Sequence, residues 1–181
     1  MNPLLSPLDA VIGEIETHVD EAGWDQPPQL FALVPTEQLL HAEPSLARTM
    51  GLLAGDPSSL TPVAQEPLEP GRLDEQLAGL VFGADVLGVV LAHEVVVLPP
   101  EAEAGLASVT DEQQAARLAV EHPQRREVRM VVGVLRGGQQ AAVLRLRSTT
   151  GESSSDERLT GPDLAPALAA ALLATLEDAP A

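Results

Sequence analysis

The chain has 181 residues, 45% of them hydrophobic, and a formal net charge of −17 from 27 acids and ten strong bases. That balance leaves no broad surface for the phosphates of a nucleic acid, and the absence of cysteine excludes disulfides, thiolate metal sites and thiol nucleophiles. All ten bases are arginines, so lysine-based Schiff-base or general-base chemistry is excluded too.

The length suits one domain with a real core, built mainly from Leu, Val and Ala because Trp24, Phe31 and Phe82 are the only aromatics. Residues 6 to 22 predict a helix with Ser6 as N-cap, Pro7 in the first helical position, and Asp9 completing a capping box. Leu8, Val11, Ile12, Ile15 and Val19 form its packing side. Asp9, Glu16 and Asp20 read as the opposite, solvated side, and Gly23 ends the helix. Past Trp24 and the diproline Pro27-Pro28, residues 29 to 34 predict a short strand that Pro35 closes. Thr36 then reads as the cap of a helix that breaks near Glu43, before Pro44, with a second short helix toward Gly51.

The proline-rich stretch from Gly55 to Gly71 reads as an extended connection with a short strand near Thr61 to Gln65. Leu73 to Phe82 predicts a helix burying Leu73, Leu77, Leu80 and Val81. Residues 86 to 98, VLGVVLAHEVVVL, are apolar on both alternating faces and mark the central strand of a sheet. A loop, PPEAEAGLASV, should follow, and Thr110 with Gln113 suggests a capping box for a helix to about Glu121.

Six of the ten arginines lie between Arg125 and Arg147, so residues 122 to 150 carry about +5 while the rest of the chain sums to −22. The segment EVRMVVGVLRGGQQAAVLRLRS reads as a β-hairpin around Gly137-Gly138. A three-residue loop, Arg136 to Gly138 with Gly138 left-handed, sets Leu135 opposite Gln139. One face then pairs Val128 with Leu146, Met130 with Leu144 and Val132 with Ala142. The other pairs Val131 with Val143, Arg129 with Arg145, and Glu127 with Arg147. A two-residue loop would instead mix arginines into the apolar face, and such slips are penalised. Beyond the hairpin, residues 148 to 161 read as a mobile, serine-rich segment, and a final helix, nearly all Ala and Leu and so expected to be buried, begins at Asp163 as N-cap. The elements predict an α+β fold: a single domain over residues 1 to 181, with a largely antiparallel sheet packed by five or six helices.

The facing pair Arg129 and Arg145 must share an anion, because like charges directly opposite on a sheet repel. Two sources compete: a carboxylate of the chain itself, for which Glu94 on the central strand is the internal candidate and so a structural brace, or an external anion clamped by Arg129, Arg145 and Arg147. His93 and Glu94 alternate, so they point to opposite faces and cannot act on one substrate group. Their sequence also lacks the second histidine of a zinc-peptidase helix. His18, His41 and His122 show no metal-ligand spacing, and Ser153 to Ser155 form no nucleophile elbow. Neither a catalytic residue, nor a metal site, nor a cofactor is therefore assigned. Trp24, the sole tryptophan, is the candidate anchor for a partner, set against the ordinary role of closing the core edge.

The segments HVDEAGWDQPPQLFALVPT, EVRMVVGVLRGGQQAAVLRLRS and LTGPDLAPALAAALLATL together resemble a family of uncharacterised actinobacterial proteins. The resemblance spans nearly the whole chain and implies a cytoplasmic bacterial protein. It implies no activity. No arginine precedes Arg48 and no apolar run is long enough to cross a bilayer, so neither a signal, a transit peptide nor a membrane contact is expected. The expectation is a non-catalytic accessory protein that binds another protein, and the alternative is a small-anion or nucleotide-type ligand module, or an enzyme of that kind, built on the hairpin arginines.

Overall fold

The computed structural model describes residues 6–53, 55–148 and 157–177. Among them lie seven helices and one six-stranded sheet, every neighbouring strand pair antiparallel, in the order β2-β1-β3-β4-β5-β6. The elements in chain order are α1 (Pro7–Glu21), β1 (Gln29–Pro35), α2 (Thr36–Ala42), α3 (Pro44–Thr49), β2 (Leu60–Ala64), α4 (Leu73–Ala78) and β3 (Gly88–Val97). They continue with α5 (Pro100–Leu106), α6 (Glu112–Glu121), β4 (Arg126–Leu135), β5 (Gln140–Leu146), β6 (Glu157–Gly161) and α7 (Pro166–Ala174). The α+β prediction holds.

Two cores sandwich the sheet. On one face α1 lays Leu8, Val11, Ile12, Ile15 and Val19 over Phe31, Leu33, Val90, Ala92, Val131 and Val143. On the other, Ala165, Ala169 and Leu172 of the α7 region and Leu77 of α4 cover Leu30, Val89, Leu91, Val132 and Ala142. The alternate residues of β3 and β4 are thus apolar on both sides because both sides are covered. Gly133 permits the approach of α1, since a Cβ there would stand 2.9 Å from Ile12 Cδ1 and 3.0 Å from Val90 Cγ2.

The hairpin of β4 and β5 adopts the predicted register. Gly138 is left-handed, with φ 86°, and its N–H donates to Leu135 O across the three-residue loop. Val128 faces Leu146, Met130 faces Leu144, Val132 faces Ala142 and Arg129 faces Arg145. Val131 and Val143 meet α1 of the same chain. Arg136, read as a loop residue, folds back as a brace: its guanidinium donates to Val86 O, Phe82 O, Gly83 O and Leu176 O, tying the turn to the α4–β3 connection and the end of α7.

Several expectations differ in detail. Thr36 does not cap α2; it is the first helical residue, and its hydroxyl meets the Thr61 hydroxyl at 2.9 Å. The fourth helix stops at Ala78, which leaves Val81 exposed. PPEAEAGLASV is largely helical, because Pro100 enters at the first position and Glu101 and Glu103 occupy the first turn. Asp111, rather than Thr110, caps α6, accepting from the N–H groups of Gln113 and Gln114. The last helix starts at Pro166 without a side-chain cap, buries one side only, and leaves Asp163 to accept from Gln140. Of the segment read as mobile, residues 149–156 lie outside the described residues, while Glu157–Gly161 forms the edge strand β6.

Candidate functional site

Strand pairing places four charged residues in one row on the α1 face: Glu94 of β3 beside Arg129 of β4, beside Arg145 of β5, beside Arg158 of β6. Three neighbouring guanidinium groups would repel unless acids stood over them. The first helix supplies these acids. Glu16 lies only about 40° round the helix from Ile12, at 3.6 residues per turn, so it borders the packing stripe and is not opposite it. Glu16 is 3% exposed, and Asp20 follows one turn later.

Arg129 is 1% exposed, and its fork is filled from three elements. Its Nε and Nη2 donate to Glu94 Oε1 at 3.3 and 3.1 Å, its Nη1 donates to Asp20 Oδ1 at 3.0 Å, and its Nη2 also donates to Gly23 O. Arg145 Nε donates to Glu16 Oε1 at 2.6 Å and stands 3.5 Å from Asp20 Oδ1. The carboxylate between Arg129 and Arg145 is therefore that of Asp20; Glu94 braces Arg129 alone. The second Glu16 oxygen faces Arg158 at 3.5 Å. Arg158 escaped the sequence reading because it sits at the end of a serine-rich stretch, and ERLTG carries no alternation that would mark a strand.

One row further out, Arg147 follows β5, and its backbone N–H donates to Glu127 O. Its Nη1 donates to Glu127 and to Asp25 Oδ1, and its Nη2 to Asp25 Oδ2 at 3.3 Å. Asp25 first, then Glu127, hold the guanidinium above its ordinary pKa by hydrogen bonding to the charged form. Trp24 is half-buried, with the Arg129 guanidinium 4.4 Å and the Arg147 guanidinium 5.4 Å from its ring centroid. Both guanidinium groups make cation–π contact with the ring. Asp25 has a left-handed backbone, φ 68°, fixed by the hydrogen bond from its N–H to Glu94 Oε2 at 2.9 Å. Glu94 thus ties the α1–β1 loop to the sheet.

His93 points the other way, opposite Met130, whose side chain packs on the α7 side. The histidine pKa is lowered by burial, with Glu94 and Asp74 opposing. Among the described residues, no group of three or more His, Asp or Glu side chains is placed to hold a metal ion. The structure brings Trp24, Glu94, Arg129, Arg145 and Arg147 together, and each named arginine is matched with carboxylates of the chain itself.

A family model described as PPA1309-like protein matches residues 8–177. The chain belongs to the PPA1309-like protein family. That description names no activity, substrate or cofactor, and neither a curated protein nor a solved structure matches. The match extends from α1 to beyond α7, so the brace and both cores of this PPA1309-like chain lie inside it.

Replacing Glu16 by Gln should lower stability by about 2–3 kcal/mol in urea unfolding, because Arg145 and Arg158 lose a charge that burial makes valuable. The exposed Glu14→Gln control should change it by less than about 0.5 kcal/mol. Equal effects of the two variants would show that Glu16 is merely solvated. His93 carries a pH signature. Its folded pKa lies below the unfolded value of 6.5, so the unfolded state takes up the proton first, and stability falls as pH drops below that value toward the folded pKa. His93→Gln should flatten the decline in melting temperature between pH 7 and 5; an identical decline in both proteins would refute this.

Proposed function

We propose that this is a non-catalytic protein-interaction protein, cytoplasmic and of actinobacterial type, whose partner docks at the end of the sheet where α5 and α6 project. The supporting observation is an insertion whose helices stand outside both cores. Adjacent antiparallel strands such as β3 and β4 need only a two-residue turn, yet residues 98–125 intervene and form two helices, neither containing a buried residue. Leu118 and Val120 of α6 stand exposed, as do Val96 and Val97 at the end of β3. Aliphatic side chains left in water at one end of a fold are what a partner covers. Arg117, Arg125 and Arg126 are exposed in the same region, so the surface is mixed apolar and basic within an acidic chain.

Trp24 is better supported as an internal stack than as a partner anchor, because the guanidinium groups of Arg129 and Arg147 already lie over its ring. The alternative, an anion module clamping its ligand with Arg129, Arg145 and Arg147, is weakened by the carboxylates those residues already hold.

The Leu118→Ser/Val120→Ser double variant tests this reading. It should melt within about 2 °C of wild type, since both side chains are solvated, and should lose the stoichiometric partner that wild type retains in cross-linked purification from its native cell. Recovery of the same partner at the same yield would refute the assignment.

A further inference from the structure

At the outer margin of the arginine rows lies an open polar pocket of about 380 Å3, lined by Pro123, Arg125, Glu127, Arg147 and Ser148. Arg125 closes the turn that leads into β4, its N–H donating to His122 O, and it lines the pocket together with Glu127 and Arg147. Arg125 is exposed, and among the described residues its guanidinium has neither a hydrogen bond nor an ion pair. In a chain with 27 acids and ten strong bases, that leaves a cation unmatched on a pocket wall while Arg129, Arg145 and Arg147 are matched.

Arg147, on the same pocket, is held by two carboxylates of different standing. Glu127 is a strand residue whose backbone is fixed in the sheet. Asp25 belongs to the α1–β1 loop, and its side chain is 77% exposed. Exposed ion pairs contribute little, so the Asp25 carboxylate is the one an incoming anion can replace.

We propose that this pocket is a carboxylate-binding subsite, in which one carboxylate of an acidic peptide segment bridges Arg125 and Arg147 and displaces Asp25. Charge selects the ligand. Glu127 remains on the pocket wall, so two guanidinium groups face one fixed negative charge; a singly charged carboxylate is balanced there, whereas a doubly charged phosphate is repelled by Glu127 and by the field of a −17 chain. Arginine forks take carboxylates in bidentate fashion. The source of that carboxylate rests on the partner-binding reading, and the pocket adjoins the same end of the sheet as the α5–α6 insertion.

The sole tryptophan reports the event directly, because its ring lies over Arg147. Titrating the full chain with a hexaglutamate peptide at constant ionic strength should give a saturable change in Trp24 emission. Arg125→Gln should weaken the binding about tenfold or more without moving the melting temperature. Asp25→Asn, which keeps a side chain tolerant of the left-handed backbone, should tighten it by removing the resident competitor. A change reproduced by sodium chloride at matched ionic strength overturns the proposal, as does unaltered affinity in Arg125→Gln. Saturation by inorganic phosphate but not by the peptide overturns the carboxylate assignment. Leu118 and Val120 stay intact throughout, so failure here leaves the partner surface on α6 standing, and failure of that surface leaves this titration unaffected.

Discussion

Arginine side chains on neighbouring strands cannot all face one side of a sheet unless something negative stands over them, and the rest of this fold is arranged around that requirement. Arg129, Arg145 and Arg158 are successive neighbours across β4, β5 and β6. Glu16 and Asp20 of α1 come down on them, Glu94 flanks them from β3, and the α1–β1 loop closes the end with Trp24 and Asp25. The apolar residues of α1 provide the burial, each contributing roughly 1.5–3 kcal/mol at most. They do not by themselves fix how far the helix slides along its own axis. The ion pairs do, because Glu16 and Asp20 meet their arginines in only one placement.

Buried ion pairs seldom add net stability over apolar side chains of similar volume, since desolvation offsets the attraction, while leaving one member unpaired is costly. In this chain the network therefore bears on specificity through the seating of α1 over β4 and β5. The same geometry explains why the hairpin arginines, which look on paper like a basic patch, present so little free positive charge. Only the outermost, at Arg125 and Arg126, face solvent without a carboxylate among the described residues.

Local chemistry was legible in the sequence at the start of α1, in the hairpin and along the central strand. Ser6, Pro7 and Asp9 announce the start of α1; Gly138 and the alternation on both sides of it determine the hairpin register; the doubly apolar run of β3 marks the middle of the sheet. What could not be read depended on distant placement. Glu16 looks solvated on a helical wheel, and only the position of α1 over β5 makes it buried. Asp20 displaces Glu94 as the shared anion for the same reason. Arg136 appears as a turn residue until two remote segments bring their carbonyls to it. The fifth helix was misread despite a local signal, Pro100 followed by acids, because the run lacks large apolar residues. That poverty is informative in itself, since α5 and α6 stand outside both cores.

The central claim is that Arg129 holds the fold together through carboxylates of its own chain, and a double-mutant cycle with Arg129→Met and Glu94→Gln measures it most directly. Unfolding free energies of the two single variants and the double variant should give a coupling of about 1.5 kcal/mol or more, in the range seen for residues sharing one buried network. Additive losses, with coupling within about 0.3 kcal/mol of zero, would contradict the account and return the arginine cluster to the role of an external ligand site.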